Sequence, residues 1–72
     1  MELLLFQTNI ETTQKVKLLS PILNNHSEVL KWNVDTEDID NVLRIEATKN
    51  LKEDDVMELV RILGFDISIL SD

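Results

Sequence analysis

The stretch from Gln7 to Val16 gathers the side chains best placed to do chemistry. An apolar run, Leu3-Leu4-Leu5-Phe6, stops there and a helical pattern starts. Loops held by a rigid scaffold commonly carry function. Here Asn9, Glu11 and Thr12 offer an amide, a carboxylate and a hydroxyl, which could line a small polar pocket. The simpler reading is that they cap the helix that follows. A second group, Asp35-Thr36-Glu37-Asp38-Ile39-Asp40, offers hard oxygen ligands suited to an ion such as calcium. It lacks the central glycine and late glutamate of an EF-hand loop, so a solvated acidic turn is the simpler reading. Glu11 with Asp35, Glu37 and Asp38 is therefore an alternative oxygen-ligand metal site, not the leading one.

Other chemistries find no support. The chain has no cysteine, so there is no disulfide, thiolate metal site or redox couple. His26, the single histidine, has no partner indicated for acid–base work. No Ser/His/Asp set, glycine-rich phosphate loop or paired-ligand spacing occurs. Enzyme activity is not expected, and no cofactor is implied. The net charge of −7 opposes a phosphate backbone and an anionic membrane surface alike. The start, Met1-Glu2-Leu3-Leu4-Leu5-Phe6, lacks the basic region of a signal peptide and is too short to span a bilayer. A soluble cytoplasmic protein is the default expectation.

The elements that must position these groups are legible from periodicity. Seventy-two residues make one domain, 1–72, burying roughly 60% of its unfolded surface. One glycine and one proline argue against long loops. Leu3 to Thr8 reads as a first strand, apolar on both faces; parity does not say whether Leu3/Leu5 or Leu4/Phe6 meets the helices. Thr8-Asn9-Ile10-Glu11 has the form of a capping box, with Asn9 an equally good N-cap. A first helix runs to about Asn24, with Val16, Leu19, Ile22 and Leu23 as its stripe. Pro21 predicts a kink or an early end.

Val29 to Asp35 reads as a second strand, with Leu30, Trp32 and Val34 on one face against Lys31 and Asn33. Trp32 is read as core in preference to a stacking platform. Val42 to Ala47 is a third strand, with Leu43, Ile45 and Ala47 opposite Arg44 and Glu46. Asn50-Leu51-Lys52-Glu53 opens a second helix, whose first-turn Glu53, Asp54 and Asp55 suit the helix dipole. Its stripe is Val56, Leu59, Val60 and Leu63, and Gly64 supplies a left-handed stop. Phe65 to Leu70 is a fourth strand. The order βαββαβ with short right-handed connections predicts an α+β, ferredoxin-like plaited sandwich. It is a four-stranded antiparallel sheet, order 4-1-3-2, with two helices on one face. The first turn, the acidic hairpin and the Gly64-Phe65 turn should share one end. His26 should lie at the other, about 18 Å away along a helix rising 1.5 Å per residue.

At this point the chain resembles the heavy-metal-associated (HMA) domain of copper chaperones and metal-transporting ATPases, from about Leu3 to Ile69. That family reads M-T-C-x-x-C-x-x-x-V where this chain has Gln7-Thr8-Asn9-Ile10-Glu11-Thr12-Thr13-Gln14-Lys15-Val16. Thr8 and Val16 match; Asn9 and Thr12 stand where the cysteines would be. Val29 to Asp35 looks like the family's G-V-x-x-V-x-V-D strand. Leu63-Gly64-Phe65-Asp66 looks like its A-G-Y-D turn, whose ring packs beside the metal loop. The resemblance implies the fold and a metal-binding motif that has been lost. Copper(I) prefers soft thiolates, which an amide and a hydroxyl do not replace. The expected function is a non-catalytic protein-interaction module. Its contact surface would be the open sheet face or an edge strand, with a homodimer or a protein partner. Lys31, Arg44 and Glu46 would cover that face if it is merely solvated.

Overall fold

Strand pairing places the most apolar segment at the centre of the molecule. The computed structural model describes residues 1–70. Its elements are β1 (Glu2–Thr8), α1 (Thr13–Asn24), β2 (Val29–Asp35), β3 (Val42–Ala47), α2 (Glu53–Ile62) and β4 (Ile67–Ile69). The sheet order is β2-β3-β1-β4, every pairing is antiparallel, and this is the ferredoxin-like arrangement. β1 lies between β3 and β4, as expected for a strand apolar on both faces.

Register decides which face of β1 is inside. Phe6 pairs with Leu43 and Leu4 with Ile45, and Phe6, Leu43, Ile45 and Ala47 are all buried. Leu4 and Phe6 therefore meet the helices. Leu3 and Leu5 belong to the open face, where Leu3 is 56% exposed. Leu3 pairs with Glu46, which pairs with Lys31; Leu5 pairs with Arg44, which pairs with Asn33. The open face is thus a leucine strip on β1 beside a charged strip on β3 and β2.

Both helices pack on the other face. From α1 come Leu19 and Leu23, with Val16 partly buried; from α2 come Val56, Met57 and Val60. Ile22 of the expected stripe is exposed, and Met57 takes a core place the periodicity had not given it. α1 passes through Pro21 and ends only at Asn24. Proline removes the backbone donor that would reach Lys17 O, so the helix continues through position 21 with that bond missing. α2 ends as predicted: Gly64 has φ +94°, its amide donates to Arg61 O (2.9 Å), and Phe65 N donates to Val60 O (3.4 Å). These are the two bonds of a Schellman motif.

Two further sequence expectations are corrected. Leu30 does not share a face with Trp32 and Val34. A bulge between Val29 and Lys31 inserts one extra residue, so Val29, Trp32 and Val34 face the core and Leu30 is 59% exposed. Strand four is shorter than Phe65 to Leu70: only Ile67–Ile69 pair, while Phe65 is a buried loop ring. Trp32 is core-facing, and its Nε1 donates to Asn24 Oδ1 at 2.7 Å. The last two residues of the predicted domain, 71–72, lie outside the described residues.

Candidate functional site

The turn after β1 is held in place by hydrogen bonds from three directions. Thr8 N donates to Asp40 O (2.9 Å), and Thr8 Oγ1 donates to Asn41 O (2.6 Å). Asn41 has φ 46°, in the left-handed region that asparagine tolerates better than most residues. The hairpin between β2 and β3 is thereby fixed against the end of β1. Thr8 Oγ1 also accepts from Ile10 N (3.1 Å), which turns the chain inward. Ile10 follows that turn into the core and is fully buried.

Asn9 reaches the turn after α2. Its Oδ1 accepts from Asp66 N (2.9 Å), its own amide donates to Asp66 O (3.3 Å), and its Nδ2 lies 3.4 Å from Asp66 Oδ2. Thr12 is the N-cap of α1: its backbone is extended, and its Oγ1 accepts from Lys15 N at 3.1 Å. The helix therefore starts one turn later than a cap at Thr8 or Asn9 would place it. Thr8 spends its hydroxyl on Asn41 and Ile10, and Asn9 spends its amide on Asp66. Glu11 closes no capping box; its carboxylate pairs with Lys15 Nζ at 3.0 Å.

The acidic hairpin is folded on itself. Asp35 Oδ1 accepts from Glu37 N (3.1 Å) and Asp38 Oδ1 from Asp40 N (2.8 Å), the local turns that aspartate favours. Among the described residues no three acidic or histidine side chains converge as an ion would need. Glu11, Asp35, Glu37 and Asp38 are thus near one end of the fold without forming one cluster. What does form there is an open depression of about 400 Å³, lined by Thr8, Asn9, Ile39, Asp40 and Asp66 among others. Its polar groups are amides, hydroxyls and carboxylates. Phe65, adjacent in sequence to Asp66, is buried in the core. Ile10, Asn41 and Asp66 were not singled out by sequence as site-shaping residues. The one available signal was Ile10, a lone apolar residue in a polar run.

His26 lies at the opposite end. Its Nδ1 accepts from Glu28 N (3.1 Å), which leaves Nε2 as the protonated nitrogen when the ring is neutral. Thr48 N donates to Glu28 O (3.0 Å), and the Thr48 hydroxyl bonds the Glu28 carboxylate.

Solved structures share this fold. A structure titled CsoZ metallochaperone matches with TM-score 0.78 and 19% identity, covering 94% of this chain and 97% of that one. A chain in the solution structure of the Atx1–Cu(I)–Ccc2a complex matches with TM-score 0.85 and 16% identity, covering 100% and 99%. No protein-family model matches the chain, and no curated protein does. The chain therefore shares its fold with a metallochaperone and with a chain of a copper(I)-containing complex, and it has no cysteine anywhere in its sequence. No helix among the described residues is long and apolar enough to cross a membrane.

Proposed function

We propose that this chain is a non-catalytic, cytoplasmic protein-interaction module in which the metal rim of the fold has been turned to structural use. One observation carries the reading. Asn9 and Thr12, the residues in frame with the family's two cysteines, are both engaged in structural bonds, Asn9 to Asp66 and Thr12 to the first turn of α1. Neither is a soft donor, and copper(I) is held by soft donors. No nucleophile sits beside a base at the rim, which weighs against catalysis.

The Atx1–Cu(I)–Ccc2a structure is by its title a complex, which supports docking as a use of this fold. The surface favoured for contact is the open sheet face around Leu3 and Leu5, with a second copy as its occupant. Two measurements test this. In competition with a cuprous chelator, the protein should take up no stoichiometric copper(I). In sedimentation at millimolar concentration it should self-associate, and Leu3→Lys should return it to monomer. Tight equimolar copper(I) uptake, or a monomer at every concentration, would reject the reading.

A further inference from the structure

The end of the fold opposite the rim holds a groove that neither the rim nor the sheet face explains. It is about 330 Å³ and lies between α2 and the loops around His26 and Asn50. Its apolar lining is Leu51, Leu59 and Ile62; its charged lining is Glu28, Asp55 and Glu58. The α2 residues follow the helical period: 55, 58, 59 and 62 fall on one stripe, separate from the core stripe of Val56, Met57 and Val60. That second stripe is half apolar and half acidic. Ile62 is 74% exposed, although burying such a side chain is normally favourable.

The charges form no ion pair among the described residues; Asp55 accepts from Lys52 N at 3.0 Å, Glu28 accepts from the Thr48 hydroxyl, and His26 also lines the groove. No lysine or arginine lines the groove, and the one ion pair among the described residues, Lys15–Glu11, lies elsewhere. Arg61, the nearest basic residue to Glu58 in sequence, donates its Nη2 to Ile67 O, and Lys52, the nearest to Asp55, donates its Nζ to Lys49 O. Asp55 and Glu58 are like charges three apart on one helix, an arrangement that destabilises it slightly. Three carboxylates around an apolar floor match a ligand that is cationic at its edges and apolar at its centre.

We propose that this groove docks a basic amphipathic segment of a partner protein. Leucine-like side chains would lie over Leu51, Leu59 and Ile62, and lysines or arginines would meet Glu28, Asp55 and Glu58. The net charge of −7 would draw such a segment toward the chain before contact. The groove requires nothing of the rim and would serve equally if the rim held a metal. It lies on the helix side of the sheet, opposite the face that carries Leu3 and Leu5, so it does not depend on self-association through that face.

The test uses the full chain, isotope-labelled for NMR, and a short helix-forming peptide of lysine and leucine. A glutamate–leucine peptide and spermine are the controls. The lysine–leucine peptide should shift resonances of His26, Glu28, Leu51, Leu59 and Ile62, and the controls should not. Glu58→Lys should weaken binding about tenfold, by removing one charge attraction and adding one repulsion. Ile62→Ser should also weaken it while keeping all three carboxylates. Glu58→Gln, which removes the like-charge pair, should leave the free protein folded and no less stable, so weaker binding there is not a folding defect. Equal shifts with spermine would overturn the proposal. So would shifts centred on residues 35–40, binding indifferent to both groove variants, or groove shifts with concentration alone, which would make the occupant a second copy.

Discussion

Asn9 and Asp66, 57 positions apart in sequence, are joined at both backbone and side chain: Asp66 N to Asn9 Oδ1 at 2.9 Å and Asn9 N to Asp66 O at 3.3 Å. The pair ties the turn after β1 to the turn after α2. On the proposed reading, it does so with the residue in frame with a metal ligand. A rim that must open for an ion would gain little from such a tie, whereas a rim that only supports the fold gains stability.

Asn9→Ala should therefore destabilise the protein by about 1 kcal/mol, the net worth of one side-chain bond at an exposed site. Asn9→Asp keeps the acceptor for Asp66 N but sets a carboxylate against the Asp66 carboxylate, so it should cost about as much again from repulsion. Adding Asp66→Asn should restore part of the loss. Urea denaturation of Asn9→Asp, Asp66→Asn and the double variant gives the cycle, and additive losses would show that the two side chains do not interact.

Ile10 is the larger structural commitment of the same turn. It is fully buried between Asn9 and Thr12, so the loop that separates the two positions is anchored in the core. Ile10→Ala should cost about 2–5 kcal/mol, the range for truncating a buried isoleucine. In a chain of 72 residues this approaches the whole stability, so thermal unfolding should shift to much lower temperature or vanish. A loss below about 1 kcal/mol would show that the turn is not held from below.

Most of the fold was legible because its signals are local and mutually consistent. β3 alternates from Leu43 to Ala47, Gly64 marks the end of α2, and two interleaved right-handed units leave few ways to order four strands. What escaped depends on distant partners. Asn9 and Thr8 both look like helix caps in isolation; only their bonds to Asp66 and Asn41 show why Thr12 caps instead. The face of β1 was undetermined because both faces are leucine-rich, and register with β3 decided it. Leu30 was misplaced because a bulge leaves no mark on alternation until the partner strand is known. The groove at α2 was hidden because Leu59 fits a core stripe by spacing, and only packing shows that it turns toward Ile62.

Thr8 offers a check on the hairpin contact. Its hydroxyl donates to Asn41 O at 2.6 Å and accepts from Ile10 N at 3.1 Å, in a partly buried setting. Thr8→Val keeps the shape and leaves both partners without it, at an expected cost of about 1–3 kcal/mol. Thr8→Ser keeps the hydroxyl and should cost far less. Amide hydrogen exchange at Ile10 should accelerate in Thr8→Val and not in Thr8→Ser.

The lost chemistry is itself recoverable if the frame has been read correctly. Asn9→Cys combined with Thr12→Cys would put two thiols at positions i and i+3, one of them at the N-cap of α1. Thiolates are stabilised near a helix N-terminus, and the protein's negative charge adds a general attraction for a cation. The metal-free variant should be less stable by about 2 kcal/mol, roughly 1 for the lost cap and 1 for the lost tie to Asp66. It should nonetheless take up one equivalent of copper(I) in competition with a chelator. Binding to the folded state alone then restores stability in proportion to the logarithm of free metal. A variant that folds but takes up no copper(I) would mean that Asn9 and Thr12 are not placed as ligand positions. In that event the likeness to metallochaperones would extend to the sheet and helices and stop short of the rim.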